Sequence, residues 1–102
     1  MSAIKINQSN FDTVKNSGKT VLLDFYADWC GPCRMVSPIV EEIAAEREDI
    51  IVGKINVDEE SELANTFGVF SIPTLVVLKN GQVVNQSAGA RPKAQILAML
   101  EG

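Results

Sequence analysis

The chain has 102 residues, 46% of them hydrophobic and 22% charged, with a formal net charge of −4. These proportions suit one globular domain over residues 1–102, long enough to bury a single core without staples. The acidic balance, with no basic stripe, argues against nucleic acid as a partner, and no segment approaches the apolar length of a membrane span.

In chain order, residues 3–6 suggest a short strand. Asn7, Ser9 or Asn10 then offers a cap for a first helix carrying Phe11 and Val14, which Gly18 ends. Residues 21–27 are apolar on both faces, as in a central parallel strand covered by helices on each side. From 33 to 47 the apolar positions Val36, Ile39, Val40, Ile43 and Ala44 recur at helical spacing, while Arg34, Glu41, Glu42 and Glu46 fall outside that stripe. Pro38 lies inside this pattern; because the stripe already starts at Val36, a kink is expected there rather than a helix beginning at the proline.

Residues 50–57 read as a further strand and 59–67 as a short helix ended by Gly68, its N-terminus marked by the acidic cluster Asp58, Glu59, Glu60 and Glu62. A strand over 74–78 follows. Asn80-Gly81 favours a two-residue hairpin turn, which returns 82–87 antiparallel to that strand. Pro92 opens a last helix with Ile96, Leu97 and Leu100 inward. The pattern as a whole is α/β with a terminal hairpin. Residues 1–7 have neither the apolar stretch nor the cleavage pattern of a secretory signal, so the expected location is the cytoplasm.

The chemistry concentrates in Trp29-Cys30-Gly31-Pro32-Cys33, which holds the only two cysteines and lies between the apolar strand and the amphipathic helix. A thiolate is the reacting form of cysteine, and the unpaired N–H groups and positive dipole end of a helix N-terminus favour it. Cys30, nearer that end and expected to be the more exposed, reads as the attacking thiolate. Cys33, one turn inside, reads as the resolver that closes the ring and releases the reduced partner. The spacing alone also fits half a zinc site or a structural disulfide. With no histidine and no third cysteine, zinc would need carboxylates or a second copy, so no metal site is expected. A disulfide over so short a loop would constrain little of the unfolded chain. Gly31 permits close backbone approach by a partner, and Pro32 suits a first helical turn. Trp29 is either core filling or a shield over the thiolate.

Asp24 interrupts the apolar strand. It is either a strand-end carboxylate reaching water or a buried acid with a raised pKa. Lys54, between strand residues, reads by itself as a solvated lysine.

The stretch Trp29-Cys30-Gly31-Pro32-Cys33 resembles the active site of the thioredoxin family. The likeness continues through residues 21–27, Pro38, residues 54–58, Ile72-Pro73-Thr74, Lys79-Asn80-Gly81 and Gly89-Ala90. It implies the thioredoxin fold, a central mixed β-sheet flanked by helices on both faces in the order βαβαβαββα. It also implies a protein-disulfide reductase that needs no bound cofactor beyond its own Cys30–Cys33 disulfide. Its partners would be disulfide-containing proteins and a separate thioredoxin reductase, with electrons from NADPH through a flavin or from a ferredoxin-linked donor, and the protein would act as a monomer.

By the same resemblance Asp24 corresponds to a buried carboxylate that accepts the resolving thiol's proton through water, and Lys54 to its partner lysine. Trp29 shields the site. Ile72-Pro73 corresponds to a cis-proline loop that faces the cysteines and presents a backbone edge to an extended substrate, and Gly89-Ala90 to a further part of the docking surface. An isolated glycine equally reads as a bend before the last helix. Tyr26 departs from the tryptophan many relatives carry there. Phe70 departs from an often polar position and is expected to enlarge the apolar patch of Trp29, Ile72 and Pro73. Two rival functions share these residues: a dithiol oxidase, and a binding module in which the cysteines only switch docking to a larger enzyme.

Overall fold

The computed structural model describes residues 2–101. Its elements are β1 (Ile4–Lys5), α1 (Phe11–Lys15), β2 (Thr20–Tyr26), α2 (Gly31–Glu46), β3 (Ile50–Asn56), α3 (Ser61–Thr66), β4 (Thr74–Lys79), β5 (Gln82–Ala88) and α4 (Lys93–Glu101). The strands form one five-stranded sheet in the order β1-β3-β2-β4-β5. β2 runs parallel to β3 and antiparallel to β4, so the sheet is mixed with β2 at its centre.

That central place explains the unbroken apolar run of β2. Leu22 points into one core with Val36, Val40 and Ile43 of α2 and Ile96 and Leu100 of α4. Val21, Leu23 and Phe25, on the alternate positions, point into a second core with Val14 of α1 and Leu63 of α3. Asp24 shares the side of Leu22 and therefore lies under α2.

Local signals set most of the boundaries. α2 is unbroken through the exposed Pro38, so the helix does not begin there. α3 ends in the arrangement expected of a glycine just past a helix: Gly68 has φ 64°, its N–H donates to Asn65 O at 3.0 Å, and Val69 N–H donates to Ala64 O at 2.9 Å. Asn80 and Gly81 have φ 55° and 77°, the paired positive values of a tight hairpin turn. A bulge between Val77 and Leu78 makes room for Val84 in the edge strand β5.

Three expectations need correction. β1 is shorter than residues 3–6, although Ile6 N–H continues its pairing by donating to Lys54 O at 2.9 Å. No side chain caps α1 from Asn10; instead Asn7 and Asn10 bond each other's backbone N–H, at 3.0 and 2.8 Å, and the helix ends at Lys15, ahead of Gly18. The acidic cluster is mostly not a capping device. α3 starts only at Ser61, with Glu62 alone in its first turn, while Asp58, Glu59 and Glu60 reach other parts of the fold.

Candidate functional site

The end of β2 and the start of α2 build the site. Cys30 is the N-cap of α2, with extended φ −90° and ψ 114°, followed by Gly31 and Pro32 in the first helical turn. The helical turn brings Cys33 back to Cys30: their Cα atoms are 5.3 Å apart and the sulfurs are bonded as a disulfide. Cys33 N–H donates to Cys30 Sγ at 3.2 Å, so a backbone donor of the helix end already points at the atom that carries negative charge in the thiolate. Against expectation, the two cysteines differ little in exposure, 5% for Cys30 and 3% for Cys33, because Tyr26, Val57 and Ile72 pack around them. Their surroundings differ more.

Cys30 faces the loop before β4. Its Sγ is 3.8 Å from the carbonyl oxygen of Ile72, and the Ile72-Pro73 bond is cis. Gly89, with φ 95°, donates its N–H to Pro73 O at 2.8 Å, which ties the bend after β5 to the same loop. Ile72, Pro73 and Gly89 thus come together beside Cys30. Ala90 instead lines a separate groove with Met35, Val36, Ile39, Arg91 and Pro92.

Cys33 faces inward. It borders a pocket of about 160 Å³ shared with Tyr26, Ala27, Ser37 and Lys54. On this side of β2, Asp24 is 0% exposed and neither of its oxygens has a hydrogen-bond partner among the described residues, which removes the strand-end reading. Burial pushes its carboxyl up from the ordinary 3.8 to about 6, with the Lys54 ammonium pulling the other way. Asp24 and Lys54 are register neighbours on β2 and β3. Lys54 is not hydrogen-bonded to the carboxylate: it donates to Ser37 Oγ at 2.6 Å and lies 4.8 Å from the centre of the Tyr26 ring.

Trp29 is not core filling. It is 69% exposed and its Nε1–H donates to Asp58 Oδ2 at 2.8 Å. Phe70, 99% exposed, forms an apolar rim with Trp29, Val57, Val69 and Ile72, but Pro73 is buried and does not contribute to it. Sequence reasoning missed Ser37 and Met35. The signal for Met35, now 70% exposed, was its position just off the apolar stripe of α2; nothing local distinguishes Ser37.

Residues 2–102 match the family model described as Thioredoxin. The chain is 50% identical over 101 residues to the thioredoxin of Mycobacterium tuberculosis (strain ATCC 25618 / H37Rv), covering 97% of this chain and 87% of the relative. The chain belongs to the thioredoxin family. It is also 47% identical over 94 residues to the thioredoxin of Bacillus subtilis (strain 168), covering 91% of this chain and 89% of that one. Among solved structures, a mutant thioredoxin from Halobacterium salinarum NRC-1 superposes with a TM-score of 0.90 at 40% identity, over 98% of this chain and 88% of that one.

As a thioredoxin-family protein with Cys30 and Cys33 joined, it is a thiol-disulfide oxidoreductase that acts by dithiol-disulfide exchange. Among the described residues no three His, Cys, Asp or Glu side chains group as a metal site. No helix among them is long and apolar enough to cross a membrane.

Proposed function

We propose that the protein is a single-domain reductase of protein disulfides in which Cys30 attacks and Cys33 resolves. The Cys30 thiolate displaces one sulfur of a substrate disulfide, which leaves as a thiolate and takes up a proton. Cys33 then loses its proton to Asp24 through water, attacks Cys30 Sγ and expels the second substrate sulfur. The substrate gains two electrons and the chain is left with the Cys30–Cys33 disulfide. The observation that carries this assignment is the pair of opposite surroundings: Cys30 at the helix N-cap beside the Ile72 carbonyl, Cys33 beside the pocket that holds Lys54.

Trp29, Gly31, Pro32, Ile72, Pro73, Gly89 and Ala90 are read as the docking surface for an extended substrate segment. Lys54 moderates the charge of Asp24. A separate thioredoxin reductase restores the dithiol, with electrons from NADPH through a flavin or from a ferredoxin-linked donor, and the protein carries them as a monomer in the cytoplasm. Support for that setting is chemical: in a reducing compartment a Cys-x-x-Cys pair is more often catalytic or metal-binding than structural, which agrees with the catalytic reading.

Trapping tests the assignment. Cys33→Ser should accumulate mixed disulfides with substrates through Cys30, and Cys30→Ser almost none; intact-mass analysis showing the reverse would overturn the order of attack.

A further inference from the structure

Lys54 has a long flexible stem and starts from the strand position next to Asp24, yet its ammonium is engaged elsewhere. An unpaired buried carboxylate is costly, so a neighbouring free cation is expected to pair with it. The cation is not free. The 2.6 Å bond to Ser37 Oγ and the Tyr26 ring 4.8 Å away engage it, while both Asp24 oxygens are left without a donor among the described residues.

We infer that Ser37 is a positioning residue: its hydroxyl holds the Lys54 ammonium at the wall of the Cys33 pocket and off Asp24, so that the carboxylate stays unpaired and free to take the Cys33 proton. The inference rests on the reading of Asp24 as the proton acceptor. The other charged or titratable groups around the pocket are Tyr26 and Asp28 at and after the end of β2 and Cys33 and Arg34 on α2. Arg34 is turned to the Asp28 carbonyl at 2.9 Å. On the far side of Lys54, its β1 neighbour Lys5 is engaged by Glu59 at 2.9 Å, and from β4 the uncharged Leu75 stands opposite Asp24. Lys54 is the charge among these that acts on the Asp24 carboxyl.

The test is a carboxyl NMR titration of Asp24 in the oxidised protein, where no thiol titrates alongside, together with the pH profile of the Cys33 resolving step. Ser37→Ala should release Lys54 toward Asp24 and lower the Asp24 midpoint by about one unit, with the resolving-step profile moving the same way. Ser37→Thr, which keeps the hydroxyl, should restore both, and in a Lys54→Met background Ser37→Ala should move neither. A midpoint that stays or rises in Ser37→Ala overturns the inference. Asp24→Asn with an unchanged resolving step would instead overturn the acceptor reading, and with it the catalytic purpose assigned to Ser37, whatever the titration gives.

Discussion

Under the proposed function, Asp24 is where function and stability pull in opposite directions. Its carboxyl is raised by burial from 3.8 to about 6. For a raised acid the contribution to stability is fully present below the unfolded pKa and is lost as pH rises through the folded pKa, because the native state binds the extra proton over that window. A shift of this size makes the ionised group a burden of about 3 kcal/mol at neutral pH. Asp24→Ala should therefore stabilise the fold near pH 7 and by much less below pH ~4, while slowing the step in which Cys33 loses its proton. Denaturant melts across pH, paired with single-turnover reduction, check both halves. A variant less stable at pH 7 with an unaltered rate would show that the carboxylate is well solvated.

At the scale of elements, the Cys-x-x-Cys chemistry depends on how tightly β3 sits between β1 and β2. Gly53 of β3 is paired with Ile4 and Leu23, and a Cβ placed there would lie 2.6 Å from Ile6 Cγ1 and 3.2 Å from Leu23 Cδ2. Ile6 is fully buried. Gly53→Ala should cost about 1–3 kcal/mol by overpacking, read as a lower midpoint in denaturant. The same register carries Lys54 past Asp24, so the variant should also disturb the Cys33 side of the site before the Cys30 side. The N-cap of α2 acts on the other sulfur. A helix end contributes about 0.3–1 kcal/mol toward a negative charge placed there, which favours Cys30 as thiolate.

On the scale of the whole molecule, the exposed apolar side chains Trp29, Phe70 and Met35 come from three separate segments. Trp29 and Phe70 border one groove and Met35 another. An apolar rim of this kind favours protein substrates over small disulfides. Phe70→Ala should raise KM for a protein disulfide several-fold, leave reduction of a small-molecule disulfide unchanged, and shift stability by no more than about 0.5 kcal/mol, since the ring is 99% exposed. Steady-state assays with both substrate types decide this; an equal loss on both would place Phe70's effect on the chemistry rather than on docking.

The order of elements, the hairpin at Asn80-Gly81, the place of Pro32 in the first turn of α2 and the reactive cysteine pair were legible in the sequence because each is a short-range matter. A turn needs two residues with positive φ, and a Cys-x-x-Cys loop closes within one helical turn. The apolar run of β2 likewise announced a strand covered on both faces. Long-range neighbours could not be read in this way. Whether Asp24 reached water depended on α2 lying across that face of β2. The destinations of the acidic cluster, Asp58 to Trp29, Glu59 to Lys5 and Glu60 to the Gln8 N–H, depended on how α3 docks beside β1 and the end of β2. The engagement of Lys54 by Ser37 needed β3 in register with β2 beneath a helix that supplies the hydroxyl. Propensity and spacing act within a few residues, and they determined the reactive dithiol; burial and charge pairing are set by segments tens of residues apart, so only the tertiary structure decided which side chains tune it.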